Sequence, residues 1–167
     1  MKTVYIGLGS NLGDRAANLA EARRRMQEVE IAIARESSLF ETAPRDITDQ
    51  PWFLNQVVET KTECLPRQLM ARLLRIERDM GRRRLVPKGP RSIDLDILYY
   101  GDSIVNVEGL EIPHPRIAER RFVLEPLAEL APDLRDARSG LTVRQMLAGV
   151  ADQAVRRSEP VRGSTSR

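Results

Sequence analysis

The sequence predicts an α+β protein in which helices pack on an antiparallel-rich sheet. Short β-rich segments and amphipathic helical segments follow one another in the order βαββαβ, with further helices after them. Hydrophobic residues make up 41% of the chain and charged residues 31%, a balance that is ordinary for a globular protein and excludes a disordered one. The 167 residues correspond to one domain with a sizeable core, and the lone Cys64 excludes an internal disulfide framework.

The N-terminal part of the chain predicts a strand, a helix and a second strand. Residues 3–9 are β-rich and end in glycine, which is typical of a buried strand. Ser10 or Asn11 can cap the helix that follows. The apolar face of that helix carries Leu19, Ala22, Met26 and Val29. The second strand is predicted over 30–40, with its isoleucines facing inward.

The middle of the chain predicts a loop, a third strand and a second helix. Residues 42–50 contain a proline and two aspartates and predict a loop that is long enough to be functional or mobile. The third strand is predicted over 52–62. The second helix begins at Pro66, because proline suits the first turn, and ends at Gly81. Its apolar face carries Leu69, Leu73, Ile76 and Met80.

The remaining elements complete a ferredoxin-like order. They are a basic loop (82–91), a strand (92–101), a hairpin-like piece (104–112) and helices near 116–130 and 142–150. The whole order is that of an antiparallel-rich ferredoxin-like sheet with helices packed on it. We therefore expect a single domain over 1–151 and a loose tail over 152–167, since the tail is rich in arginine, serine and glycine.

Two aspartates lie in the strand predicted over 92–101. Asp94 and Asp96 are two residues apart, so their side chains leave the same face of the strand. Paired carboxylates suit Mg²⁺, which is bound by one or two carboxylates together with waters and substrate phosphates. The alternative is an edge strand that shows two solvated acids. The D-x-D pattern alone favours that alternative, because it is short and common.

A run of cations precedes the acidic pair. Between residues 82 and 91 the chain has no acid and carries Arg82, Arg83, Arg84, Lys88 and Arg91. Such a run suits a metal-bound polyphosphate, because metal ions neutralise some oxygens and guanidinium groups bind others. The alternative is a solvated charge run behind a helix end. Glu77, one turn before that end, could bind the loop or a ligand, although its position favours a surface helical acid.

The third strand contains residues that suit a planar heterocycle. Asn55 lies in an otherwise apolar segment, where a buried amide must find hydrogen-bond partners. Phe53 lies on the same face, and a flat ring beside an amide can hold a planar ligand. The alternative is a core phenylalanine beside an edge-strand asparagine, and this segment alone favours it.

A histidine between two prolines is followed by a second cationic group. The prolines fix the direction of His114, although a lone histidine more often has a structural role. Arg116 and Arg120 are spaced to share a helical face. Phe122 could pack inward or supply a second ring.

Composition and motifs exclude several classes of protein. The net charge of +3 is too balanced for a general polyanion binder, and an aromatic content of 4% argues against a stacking surface for single-stranded RNA. A single histidine excludes a histidine-cluster metal site. Gly7 and Gly9 do not complete the dinucleotide fingerprint G-x-G-x-x-G, and no P-loop lysine motif occurs. A nucleotide would therefore be held by the arginine loop and the carboxylates.

Together these segments resemble the 6-hydroxymethyl-7,8-dihydropterin pyrophosphokinase family. The matching pieces, in the family's order, are YIGLGSNLGDR at 5–15, DQPWFLNQVV at 49–58, GRRR at 81–84, GPRSIDLDILYYG at 89–101 and PHPRIAERRFVLEPL at 113–127. The resemblance implies a ferredoxin-like fold with long mobile active-site loops. It also implies an ATP- and Mg²⁺-dependent enzyme of folate biosynthesis, which transfers the pyrophosphoryl group of ATP to the hydroxymethyl oxygen of the pterin and leaves AMP.

The resemblance further implies which residues act. The catalytic positions are Arg82, Arg91, Asp94 and Asp96, and the two aspartates are the ligands of two Mg²⁺ ions. The ATP positions are Glu77, Arg84, Ile97, His114 and Arg120. The pterin positions are Thr42, Pro44, Phe53, Asn55 and Phe122, with the two rings stacking on either side of the heterocycle. Departures from known members are Lys88, Pro115 and Arg45-Asp46, and none of them touches the metal pair.

The expected partners are ATP and a reduced hydroxymethylpterin, with no nucleic acid and no membrane. We expect a cytoplasmic monomer whose domain over 1–151 is the pyrophosphokinase. Two competing functions remain from the residues themselves. One is a non-catalytic RNA- or phosphate-binding domain that uses the arginine loop as a clamp. The other is a Mg²⁺ nuclease that uses the same carboxylates.

Overall fold

The computed structural model describes residues 1–43, 51–81 and 92–158. The strands within them are β1 (Lys2–Ser10), β2 (Ala32–Glu36), β3 (Phe40–Thr42), β4 (Phe53–Thr62), β5 (Asp94–Tyr100), β6 (Val105–Val107), β7 (Leu110–Ile112) and β8 (Val155–Arg157). The helices are α1 (Arg15–Glu28), α2 (Pro66–Asp79), α3 (Arg121–Leu130) and α4 (Val143–Ala148), and a 3-10 turn spans Ile117–Glu119.

The main sheet has the strand order β5-β1-β4-β3-β8, and β2 also pairs with β4. Every pairing in it is antiparallel. The helix α1 connects β1 to β2, and α2 connects β4 to β5, which is the ferredoxin-like arrangement that the sequence predicts. The two longest strands, β1 and β4, lie at the centre. β6 and β7 form a separate hairpin.

The strand predicted over 30–40 is divided into β2 and β3. Ser37 interrupts it, because its backbone N–H donates to the carbonyl oxygen of Val57 at 2.9 Å and its hydroxyl accepts the N–H of Val57 at 3.0 Å. The side-chain amide of Gln56 donates to the carbonyl oxygen of Ser37 at 2.8 Å. These bonds satisfy a buried polar residue between the two strands, so β3 follows as a separate strand beside the start of β4.

Helices cover both faces of the sheet. On one face α1 and α2 pack against β1 and β5, and the fully buried side chains include Leu19, Met26, Leu69 and Leu73. This confirms the apolar faces predicted for both helices. On the other face α3 and α4 pack around Tyr99, Leu124, Leu127 and Val143. The hydroxyl of Tyr99 anchors this second layer by donating to Asp136 Oδ2 at 2.7 Å.

A bulge in β5 changes which side chains face each layer. Tyr5 pairs with Tyr99, but the next residue, Ile6, pairs with Ile97, so Leu98 is the additional residue. Leu98 and Tyr99 therefore both contribute to the core under α3, instead of lying on opposite faces. Before the bulge the predicted alternation holds.

The cap of α1 differs from the prediction. Asp14, rather than Ser10 or Asn11, caps this helix, because its carboxylate accepts the backbone N–H of Ala17 at 3.0 Å. The strand β1 continues through Ser10, so a short turn separates it from the helix. At the start of α2, Pro66 occupies the predicted first turn.

The C-terminal half differs from the prediction in two places. The helix predicted near 116–130 is divided at Arg120 into the 3-10 turn and α3. Residues 155–157, which the sequence places in a loose tail, form β8 and pair with β3. Among the described residues, no helix is both long enough and apolar enough to cross a membrane.

Candidate active site

A pocket of about 390 Å³ opens on the face of the sheet that carries α3. It extends across β5, β1, β4 and β3, and the 3-10 turn and the first residues of α3 form its far side. Seven of the predicted site residues line it: Thr42, Phe53, Asn55, Asp94, Asp96, Arg120 and Phe122. The fold thus brings together side chains from both halves of the chain.

Two glycines of β1 form the floor of the pocket. Gly7 pairs with Asp96 on one side and Val57 on the other, and Gly9 pairs with Asp94 and Asn55. A Cβ atom at Gly9 would lie 3.1 Å from Asn55 Oδ1, which is closer than ordinary contact. The absence of side chains here leaves room between the carboxylates of β5 and the amide of β4. This role of Gly7 and Gly9 was not predicted from the sequence, in which they only failed to complete the dinucleotide fingerprint and closed the predicted strand.

The carboxylate pair forms one end of the pocket. Asp94 and Asp96 are both partly exposed and both line the cavity, so the predicted common face is confirmed. Their neighbours Leu95 and Ile97 are buried in the opposite core. Among the described residues, no group of three or more histidine, cysteine, aspartate or glutamate side chains is placed to hold a metal ion. A cation here would therefore have at most two carboxylate ligands from the described residues, and further oxygens would come from other ligands such as water or substrate.

Glu77 lies behind the carboxylate pair rather than in the pocket. Its side chain is buried and its carboxylate accepts the backbone N–H of Leu95 at 2.7 Å. The favoured interpretation of a surface helical acid is therefore wrong. Because Leu95 separates the two aspartates, Glu77 fixes the part of β5 that presents them.

An amide and two rings form the other end of the pocket. The side-chain amide of Asn55 donates to the hydroxyl oxygen of Thr42 at 2.9 Å, and both residues are buried. This bond fixes the orientation of both polar groups beside Phe53. Since β4 is a central strand and Phe53 lines the cavity, the alternative of a core phenylalanine beside an edge-strand asparagine is wrong. Phe122 lines the pocket from the start of α3.

Cationic side chains lie along the side formed by the 3-10 turn. Arg116 and Arg120 flank that turn, so they do not share a helical face as predicted, but both line the pocket. The guanidinium of Arg120 lies 5.5 Å from the ring centre of Phe122. Glu119 also lines the cavity, and no sequence pattern singled it out.

Within the part of the chain that the structure describes, His114 and Ile97 lie next to the pocket but do not line it. Burial lowers the pKa of His114, and the charges of Arg120 and Arg116 lower it further against the opposing carboxylate of Asp96. Its Nδ1 accepts the backbone N–H of Arg116 at 3.2 Å, so the neutral imidazole carries its proton on Nε2. The side chain of Ile97 is buried in the core under α1 and α2.

Several predicted site residues lie outside the described residues. They are Pro44, Arg82, Arg84 and Arg91. The departures Arg45, Asp46 and Lys88 lie outside as well. The residues that flank segment 82–91 are close to each other, because the hydroxyl of Ser92 donates to the carbonyl oxygen of Met80 at 3.3 Å.

Comparison with known proteins gives a family match over most of the chain. Residues 5–132 match the family model described as 7,8-dihydro-6-hydroxymethylpterin-pyrophosphokinase. The 2-amino-4-hydroxy-6-hydroxymethyldihydropteridine pyrophosphokinase of Methylorubrum extorquens is 44% identical over 160 residues, which cover 95% of this chain and all of that protein. The mitochondrial folate synthesis bifunctional protein of Pisum sativum is 52% identical over 127 residues, or 76% of this chain.

Some relatives are much longer than this chain. The match spans 25% of the Pisum sativum protein and 21% of the folic acid synthesis protein fol1 of Pneumocystis carinii, which is 41% identical over 93% of this chain. Among solved structures, a Plasmodium falciparum HPPK-DHPS triple mutant with STZ-DHP superimposes with a TM-score of 0.71 at 16% identity. That superposition covers 89% of this chain and 43% of the other, and it supports the fold.

Proposed function

The chain belongs to the 7,8-dihydro-6-hydroxymethylpterin-pyrophosphokinase family, and on that basis we propose that it catalyses the pyrophosphoryl transfer of folate biosynthesis. The substrates are ATP and 6-hydroxymethyl-7,8-dihydropterin, and the products are AMP and the pterin diphosphate. The observation that carries the proposal is one pocket that has a carboxylate pair at one end and an amide with two aromatic rings at the other. Its two ends match the two substrates in chemistry.

The pterin is proposed to bind at the end that contains Asn55. A pterin is flat and has hydrogen-bond donors and acceptors along its edge, so it can stack on Phe53 and Phe122 while its edge meets polar groups. Thr42 accepts a hydrogen bond from the Asn55 amide, which leaves the Asn55 carbonyl oxygen as an acceptor and the Thr42 hydroxyl as a donor. Pro44 is proposed to complete this end.

ATP is proposed to bind with its phosphates at the end that contains Asp94 and Asp96. The donor set fits Mg²⁺, because both groups are hard carboxylates, partly exposed and on one face of a strand. We propose two Mg²⁺ ions here, which would neutralise charge on the phosphate oxygens. Glu77 is proposed to hold the two aspartates in place, because its carboxylate accepts the backbone N–H of Leu95 between them.

Arginine side chains and His114 are proposed to hold the rest of the nucleotide. Arg120 lines the pocket and His114 lies beside it. From their place in the family motif we assign Arg82 and Arg91 to the polyphosphate and Arg84 to closure over ATP. Because the Ile97 side chain is buried in the opposite core, its proposed contact with the nucleotide is through its main chain.

The proposed reaction is one displacement at phosphorus. The hydroxymethyl oxygen of the pterin forms a bond to the β-phosphorus, the bond from that phosphorus to the oxygen shared with the α-phosphate breaks, and AMP leaves. The hydroxyl proton is released to water. The protein contributes positioning and electrostatic stabilisation, which is what such transfers mainly need.

AMP formation tests the proposal. Protein, ATP, Mg²⁺ and the reduced hydroxymethylpterin are mixed, and each component is omitted in turn. We expect AMP and pterin diphosphate in equal amounts only in the complete mixture. Formation of ADP, or cleavage of DNA or RNA with Mg²⁺ in the absence of ATP, would contradict it. RNA binding with steep salt dependence and no ATP turnover would favour the competing binding domain instead.

Gly9→Ala is expected to raise the KM for the pterin about tenfold, because the new methyl group would displace the Asn55 amide. Gly7→Ala is the matched control on the same strand. Its Cβ would meet the side chain of Leu98 at 3.5 Å, which is ordinary contact, so we expect a smaller change. Steady-state kinetics with each substrate varied measures both variants. An unchanged KM for the pterin in Gly9→Ala would place the heterocycle elsewhere.

A further inference from the structure

The segment 151–156, which we call the C-terminal strap, lies beyond residue 132, where the family match ends. It runs from the start of α3 to β3, and so connects the two sides of the pterin end of the pocket. Phe122 lies on one of these sides and Thr42 on the other. Neither the composition of the segment nor the family match assigns it a role.

One end of the strap is fixed to the start of α3. The guanidinium of Arg121 donates to the carbonyl oxygens of Ala151 at 3.0 Å and Gln153 at 2.7 Å. The backbone N–H of Arg121 donates to the side-chain carbonyl oxygen of Gln153 at 2.9 Å. The side-chain amide of Gln153 in turn donates to the carbonyl oxygen of Glu119 at 2.7 Å. Gln153 thus bridges the residues on either side of Arg120, immediately before Phe122.

The other end of the strap is fixed to β3 and to the start of β4. Val155 pairs with Thr42, and Arg156 pairs with Glu41. The guanidinium of Arg156 lies 4.4 Å from the ring centre of Trp52, and its Nε lies 3.2 Å from Glu41 Oε1. These contacts hold the residues next to Thr42 and Phe53.

Arg15, the first residue of α1, also contacts Glu41 and Trp52 at this end of the strap. Its Nη2 lies 2.8 Å from Glu41 Oε2, and its Nη1 donates to the carbonyl oxygen of Trp52 at 2.9 Å. The hydrogen bond from Arg15, together with the charge of Arg156, holds the pKa of Glu41 below its usual range against partial burial. Glu41 is therefore a carboxylate shared by two arginines, from α1 and β8.

The end of the pocket between Phe122 and Thr42 is called the pterin slot, and these two residues mark its walls. We propose that the C-terminal strap sets the separation of the two walls, and that Gln153 and Arg156 are positioning residues for the heterocyclic substrate. The inference rests on the proposed function. Gln153 and Val155 are two residues apart, so their Cα atoms cannot lie more than about 7 Å from each other. A segment this short, fixed at both ends, limits how far the Phe122 wall can move from the Thr42 wall. Small errors in the placement of a substrate cost large factors in rate and binding.

Gln153→Ala and Arg156→Ala test the proposal. Each is expected to raise the KM and the dissociation constant for the pterin about tenfold, while kcat and the KM for ATP change less than about twofold. Arg156 is largely exposed, so its removal leaves the core intact. Arg156→Lys keeps the charge beside Glu41 but loses the planar group over Trp52, and we expect it to recover part of the affinity.

Arg157→Ala is the matched control from the same strand. Its guanidinium donates to the hydroxyl of Ser38 at 2.6 Å, and Ser38 does not line the pocket. We expect wild-type constants for both substrates. Equal pterin constants in wild type, Gln153→Ala and Arg156→Ala, with only a lower melting temperature in the variants, would show that the strap is merely structural and overturn the proposal.

Direct binding of the pterin separates this proposal from the proposed function. Wild-type protein that binds the pterin but forms no AMP would contradict the reaction, and the dissociation constants of the variants would still test the strap. If the wild-type protein forms AMP and both variants bind the pterin as the wild type does, the proposed role of the strap is contradicted and the proposed reaction is not. Wild-type protein that binds no pterin would contradict both.

Discussion

Asp96→Ala is expected to lower kcat for AMP formation by about a thousandfold, which corresponds to about 4 kcal/mol of transition-state stabilisation. Asp96 is one of the two carboxylates at the end of the pocket proposed to bind phosphate, and no third acidic or histidine ligand accompanies them among the described residues. Removing it therefore removes half of the protein's proposed ligand set. Residual activity should require a much higher Mg²⁺ concentration, which a titration of rate against Mg²⁺ would detect.

The fold should survive this substitution. Asp96 is partly exposed and faces the pocket, while its neighbours Leu95 and Ile97 hold β5 in the core. Asp133→Ala is the matched control, because Asp133 is an exposed carboxylate that lies outside the pocket and pairs with Arg144 at 3.0 Å. We expect wild-type kcat in that variant and unchanged circular dichroism in both. A near-normal rate for Asp96→Ala would reject the metal-binding role.

Asn55→Leu is expected to lower kcat/KM for the pterin by about a hundredfold or more, mainly through KM. Leucine has a similar size, so it keeps the slot filled but removes the amide. The edge of the pterin would then face an apolar group, and the buried hydroxyl of Thr42 would lose the hydrogen bond that it accepts at 2.9 Å. The KM for ATP should change little, because Asn55 lies at the other end of the pocket from the carboxylates.

Two further variants make this prediction specific. Thr42→Val should cost less than Asn55→Leu, because the amide remains, and the double variant should cost less than the sum of the two singles. Asn106→Leu is the control, since Asn106 is exposed on β6 and does not line the pocket. Equal losses of ATP and pterin affinity in Asn55→Leu would indicate a general disturbance of the sheet, and would contradict a pterin-specific role.

The sequence predicts features that depend on local periodicity. Asp94 and Asp96 lie on one face because strand residues alternate, and the same alternation places Phe53 and Asn55 together. The alternation in β1 also indicates the pocket floor, because Gly7 and Gly9 alternate with Ile6 and Leu8, which face the core. That signal was missed because a glycine contributes no side chain to an apolar pattern.

Features that depend on distant pairing could not be predicted in this way. The segment Val155–Arg157 is too short to show a strand pattern, and it is ordered by β3, with Arg156 and Glu41 lying 115 residues apart in the chain. Glu77 has the helical position of a surface acid, and its burial depends on the N–H of Leu95 on another element. In each case a partner that only the fold supplies decides the outcome.

The position of Trp52 gives this protein a spectroscopic probe of its own. The chain has one tryptophan, so indole emission comes from a single place. That residue is exposed, lies beneath the guanidinium of Arg156 and directly precedes Phe53, the first residue of β4. Changes at the rim of the slot should therefore alter its fluorescence, and occupancy can be followed in solution without attaching a label.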